Sequence, residues 1–276
     1  MSEQTINEKI DFSKSEQYTL SIRLSTDGFS FSVYNPIEND SFWFIRREIK
    51  QTYSLAANLK EIISGSDFLF HPYKRVNILS VGRRFTLIPS ELYEEEQIEP
   101  VFYQNFQKQE NELVAVTVLK KANVAVVFSM NKAVHQQLAE LFPAARFYSH
   151  AAPLIERFAE KSRLGNSRKM YVYLRNSEMD VFGFERGKLL FANSFECSST
   201  EDRSYYLLYI WNQLDFDQER DEIHLSGISD KKEELVSGLR KYLRQLYIVN
   251  PRAEFNNSEI TRIEEIPFDL QTLLEL

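Results

Sequence analysis

Residues Met170–Asp230 read MYVYLRNSEMDVFGFERGKLLFANSFECSSTEDRSYYLLYIWNQLDFDQERDEIHLSGISD, and the rest of the chain can be placed from the order of elements within them. Met170–Asn176, Asp180–Glu185 and Leu189–Glu196 are short apolar, aromatic-rich runs, separated by the turn-forming pieces Ser177-Glu178 and Arg186-Gly187-Lys188. That pattern predicts three antiparallel strands in a meander. Thr200 stands where a helix needs a cap, and Tyr206, Leu207, Ile210, Trp211 and Leu214 follow at helical spacing. Glu222–Leu225 then reads as a buried return strand, ending at Gly227.

The same order occurs earlier in the chain. Leu20, Ile22 and Leu24 alternate within Tyr18–Leu24, Asp27-Gly28 turns the chain, and Phe29, Phe31 and Val33 alternate on the way back, a strong hairpin signal. Asn39-Asp40 supplies the next turn before a third strand over Phe42–Ile49. Ser54 caps a helix carrying Leu55, Leu59, Ile62 and Ile63 and closed by Gly65, and Arg75–Val81 is the following strand. Phe31 and Val33 thus align with Phe182 and Phe184, and Leu138–Phe147 with Leu246–Phe255. The second alignment has the smaller offset, so the first half holds extra residues, placed between Gly82 and about Val127. That interval reads as a strand over Arg84–Ile88, an acidic helix near Glu94–Gln107, and a strand pair over Leu113–Leu119 and Val124–Phe128. The expected organisation is a loose polar arm over residues 1–16, a first half over 17–164 with its insertion at about 83–127, and a second half over 165–276. A short amphipathic helix within Pro267–Leu276 closes the core.

Meander, helix, strand and helix, repeated, resembles the actin-like ATPase (ribonuclease H-like) superfamily, and within it the bacterial cell-division and pilus-assembly branch. Val76–Pro89, a strand, a break at Gly82 and a second strand ending in Pro89, is similar to that branch, as is Val124–Phe158, where Met130-Asn131 precedes a helix with Val134, Leu138 and Leu141. The resemblance implies an α/β fold of two βββαβα halves with a small α+β insertion in the first. The whole chain also resembles a Bacteroidetes family of unknown function. In the branch, the first meander turn carries an Asp and a Gly facing phosphate, a Gly pair follows the third strand, and a Gly-Gly step after the fourth lies against adenosine. In the second half here those places read Leu174-Arg175-Asn176-Ser177, Cys197-Ser198-Ser199 and Ser226-Gly227. The frame is kept while the nucleotide chemistry is reduced.

Composition narrows the function classes. With 8 Gly in 276 residues, few positions allow the close backbone approach that phosphates require. A net charge of -7, with the basic pairs Arg46-Arg47, Arg83-Arg84, Lys120-Lys121 and Lys231-Lys232 dispersed, disfavours nucleic acid as a partner. Cys197 is the single cysteine, which excludes an intrachain disulfide and a cysteine-rich zinc site and fits a reducing, cytoplasmic compartment. The polar N-terminus and the lack of a long uncharged apolar run predict no membrane span.

The candidate sites each have two readings. Asp27 and Gly28 occupy the place of the family's first phosphate contact, where Asp27 would hold a metal-bound water; the same dipeptide also suits a type I′ turn. Ser198 and Ser199, with Thr200, either offer hydroxyls to an anion at a helix N-terminus or cap that helix. Ser226 and Gly227 either touch a flat ligand or make the strand-to-helix turn before Ser229-Asp230. His71, His135, His150 and His224 lie far apart with no Glu at metal-ligand spacing, and no metal is expected. Val114, Val116 and Val118 alternate with Ala115, Thr117 and Leu119, so this strand offers apolar or neutral side chains to both faces and is a candidate partner surface, unless the inserted helix and the parent domain cover one face each. The expected function is a non-catalytic binding or scaffolding protein with a degenerate nucleotide cleft, no cofactor and a protein partner, self-association included. The alternative is an ATP- and Mg²⁺-dependent enzyme or switch with atypical phosphate contacts at Asp27, Ser198 and Ser199.

Overall fold

A computed structural model describes residues 4–8, 10–35, 42–227, 232–255 and 266–274; the expected Asn39-Asp40 turn and the Ser229-Asp230 cap lie outside them. Strands β1 (Gln4–Glu8), β2 (Thr19–Ser25), β3 (Gly28–Tyr34) and β4 (Phe42–Arg47) are followed by helix α1 (Leu55–Ser64) and β5 (Arg75–Ser80). Leu20, Ile22, Phe29, Phe31 and Val33 are fully buried, and so are Ser21 and Ser32 between them. The sheet is therefore covered on both faces, which a half-polar hairpin does not announce. Ser54 caps α1 as expected, its hydroxyl accepting from Ala57 N–H.

The insertion comprises β6 (Phe85–Pro89), α2 (Ile98–Asn105), β7 (Glu112–Leu119) and β8 (Val124–Asn131), paired in the order β6-β8-β7 as a separate three-stranded sheet. Helix α3 (Lys132–Leu141), β9 (Arg146–Ser149) and α4 (Ala151–Ser162) complete the first half. The second half contains β10 (Lys169–Leu174), β11 (Glu178–Glu185), β12 (Lys188–Glu196), α5 (Thr200–Gln213), β13 (Glu222–Gly227), α6 (Lys232–Leu239), β14 (Gln245–Ile248), α7 (Pro251–Glu254) and α8 (Phe268–Leu274).

The duplication is visible in the sheet orders. The first sheet runs β1-β4-β3-β2-β5-β9 and the second β12-β11-β10-β13-β14. In both, an antiparallel meander is continued by two parallel return strands. Three expectations are corrected. Gln4–Glu8, expected within a loose arm, pairs with β4, because an open strand edge accepts main-chain partners whatever their side-chain periodicity. The equivalence of Leu138–Phe147 with Leu246–Phe255 matches the end of α3 to a strand; β9, paired with β5, is the counterpart of β14, paired with β13. Ser199 and not Thr200 is the N-cap of α5, its hydroxyl accepting from Asp202 N–H.

The closing helices of the two halves cross between the sheets. Phe158 of α4 stacks on Tyr171 of the second sheet, with centroids 4.3 Å apart and planes at 5°. Helix α8 lies on the first sheet, where Ile266, Leu270 and Leu273 pack against Phe42, Phe44 and Leu79. Each sheet thus carries the last helix of the other half, and the start of α8 reaches the cleft between the halves.

Candidate functional site

The C-terminal ends of β2 and β10 point into one cleft of about 290 Å³ between the halves, lined by the β2–β3 turn, the β10–β11 turn, Gly227 and the start of α8 at Pro267 and Phe268. This is at the lower end of the ~300–1,000 Å³ typical of small-molecule pockets. Of the expected residues, Asp27, Gly28 and Gly227 line it. Ser198, Ser199 and Ser226 do not. Ser199 is the α5 cap, Ser198 is exposed beside it, and the buried Ser226 hydroxyl donates to Val172 O inside the sheet.

The glycines have structural reasons. Gly227 has φ +83°, and a Cβ there would stand 2.2 Å from Leu174 O. Gly28 has φ +143°, and its Cβ would meet Arg47 O at 2.9 Å. The turn is not type I′, since Asp27 has no positive φ; that signature belongs to Arg186-Gly187, with φ 48° and 87°.

The ion-pair network around the cleft was not expected; Arg23, Arg46, Arg175 and Glu178 line the cleft, while Asp180 and His150 are fully buried outside its lining. Arg175, on the β10–β11 turn, donates to Asp180 through Nε at 2.9 Å and Nη2 at 3.0 Å, and also to Glu178. His150 Nε2, ahead of α4, lies 3.0 Å from the same Asp180 carboxylate. Burial raises the Asp180 carboxyl, but the facing charges of His150 and Arg175 outweigh it and hold the group far below the usual carboxylate range. The turn is tied from behind by Arg203, which donates to the carbonyls of Arg175 and Asn176. Its Arg175 N–H is spent on Glu178 O. Arg83, at the entry to the insertion, reaches Glu178 at 3.3 Å and Glu196 at 2.9 Å. On the opposite wall Arg46 pairs with Asp27 at 3.3 Å, and behind it Arg23 is buried against Asp269. Among the described residues no three His, Cys, Asp or Glu side chains converge as a metal site. Each His instead packs on a ring, His71 on Phe12, His135 on Phe147, His150 on Phe85 and His224 on Tyr171.

The signals for this network were present but easily misread. Arg23 sits at a sheet-facing position of an otherwise apolar and small-residue strand, and Arg175 replaces turn-type residues.

The valines of β7 do not act together. Val114 is buried beneath Phe102 of α2, Val116 is half-buried in the same cluster, and only Val118, 48% exposed, reaches solvent. Phe85, Leu119, Val126 and Phe128, by contrast, join the main core. Helix and parent domain each cover one face, so the three valines do not make a continuous surface.

Two halves of matching sheet topology, one sheet six-stranded and the other five-stranded, facing each other across such a cleft define the actin-like ATPase fold. A Bacteroides thetaiotaomicron crystal structure described as a protein with actin-like ATPase fold and unknown function is 54% identical, covering 97% of this chain and 99% of that chain, with a TM-score of 0.87. The chain belongs to the DUF3822 family, proteins of unknown function, whose model matches residues 7–246. The PilM–PilN type IV pilus biogenesis complex is similar at a TM-score of 0.55 and 13% identity, over 94% of this chain and 97% of that chain, a likeness of fold. A search of curated proteins returns no match.

Proposed function

We propose that the chain is a non-catalytic binding or scaffolding protein whose actin-like cleft has lost nucleotide chemistry. The observation that carries this reading is the β10–β11 turn. Phosphoryl transfer is catalysed by positioned cations and by backbone N–H groups aimed at phosphate oxygens. Here the turn's Arg175 N–H is internally bonded, and its guanidinium is engaged by Asp180 and by Glu178, which also pairs with Arg83, so an incoming phosphate would have to displace these carboxylates to reach Arg175. The Asp27 carboxylate opposite is partnered by Arg46. A protein partner is in keeping with the pilus complex formed by the PilM-type relative. A reducing, cytoplasmic setting suits the lone Cys197, whose buried thiol is pushed up to about 11 by desolvation. No helix among the described residues is long and apolar enough to cross a membrane.

A second reading, an ATP-dependent switch, draws on Asp27, Gly28 and Gly227 lining the same cleft. Phosphate release from ATP and Mg²⁺ by the purified chain and by Asp27→Asn separates the two. The expected result is no turnover in either; turnover in the wild type that Asp27→Asn abolishes would overturn the proposal.

A further inference from the structure

The second sheet ends at β14, whose outer side has no strand partner among the described residues. Val249 N–H turns inward to Leu225 O, and peptide groups alternate along a strand, so those of Ile248 turn outward. Tyr247 and Ile248 are 45% and 52% exposed. An uncovered edge with apolar side chains is a template for an added strand. The flanking charge is one-sided. Residues 240–252 contain Arg240, Lys241, Arg244 and Arg252, all exposed, and no Asp or Glu, in a chain of net charge -7. Arg244 has a partner in Glu219 at 2.7 Å, but both side chains are about 70% exposed and the pair is screened by solvent.

We propose that the β14 edge is a docking site for an extended acidic segment of a partner protein, added to the sheet as a further strand. Main-chain hydrogen bonds would supply affinity, Tyr247 and Ile248 the side-chain contact, and the basic flanks the preference for acid. A second copy of the chain fits poorly, because antiparallel pairing of two β14 edges brings the exposed Arg240, Lys241, Arg244 and Arg252 of both copies to one seam, like charge against like. Nucleic acid would leave the outward peptide groups and Ile248 without partners. The site is separate from the cleft and stands or falls independently of the nucleotide reading.

The test uses the full chain and fluorescein-labelled peptides of alternating Glu and Val or alternating Lys and Val, read by anisotropy. The Glu-Val peptide is expected to bind, to weaken with added salt, and to lose at least about tenfold in affinity in the Lys241→Glu/Arg244→Glu variant. Ile248→Pro, which removes an outward N–H, should abolish binding with an unchanged circular dichroism spectrum; should it unfold, the charge-reversed variant decides. Failure of the Glu-Val peptide to bind, equal binding of the Lys-Val peptide, or full binding by the charge-reversed chain would overturn the proposal. So would tighter binding of oligo-dT than of the Glu-Val peptide, which would reassign the surface to nucleic acid.

Discussion

Arg23 on β2 and Asp269 on α8 hold each other in the interior, Arg23 Nε donating to both carboxylate oxygens at 2.9 and 3.0 Å with side chains 7% and 0% exposed. Burial works against the guanidinium charge, yet the Asp269 carboxylate outweighs it and raises the Arg23 pKa above its ordinary value. The pair fixes the last helix of the chain to the first half's sheet.

Removing one partner leaves a buried, uncompensated charge, which typically costs about 3–5 kcal/mol, whereas replacing both by apolar groups is often nearly neutral. Asp269→Asn should therefore lower the urea-unfolding free energy by about that amount, and Arg23→Met with Asp269→Leu by much less. Equal losses in the single and double variants would mean that packing, and not charge, holds α8.

The Asp180 carboxyl lies far below its ordinary value. A depressed acid contributes stability that is fully present above the unfolded-state value, about 3.9, and is lost as pH falls through the folded-state value. The stability gap between wild type and Asp180→Asn should be wide at neutral pH and narrow steadily below about pH 4. Chemical unfolding across that range checks it, and a gap that widens on acidification would contradict the assignment.

Gly227→Ala brings a Cβ to 2.2 Å from Leu174 O at φ +83°, while Gly82→Ala meets nothing within 4 Å. The first change should cost at least the ~1–3 kcal/mol of a strained backbone position. The second should stay within about 0.5 kcal/mol. Comparable melting temperatures for the two variants would show that the strand end at Gly227 relaxes freely.

The repeated architecture was legible because each element rests on local patterns: alternation in Leu20–Leu24 and Phe29–Val33, the Ser54 cap, and Pro89 ending β6. Local resemblance also misled. Leu138–Phe147 looks like Leu246–Phe255, yet the sheet pairs β9 with β5. Asp27-Gly28 has the composition of a type I′ turn, but the approach of Arg47 O governs Gly28, and the positive angles fall at Arg186-Gly187. The cleft was legible only through its glycines and Asp27. Arg175 meets Glu178 and Asp180 within one hairpin, 3 and 5 residues away, but the pairs that tie this hairpin and the cleft wall to the rest join residues 246 apart, as in Arg23–Asp269, or 30 apart, as in His150–Asp180. No periodicity links such positions before the two halves close on each other.

The proposed non-catalytic role rests on the internal ion-pair network of the β10–β11 turn. The melting temperature of the chain with and without ATP and Mg²⁺ tests it most directly. A nucleotide present at 100 times its dissociation constant stabilises a fold by roughly 2.7 kcal/mol, which for a chain of this size is a rise of roughly 5–10 °C. The expected result is an unchanged melting temperature at millimolar nucleotide; a rise of that size, lost in Asp27→Asn, would contradict the account.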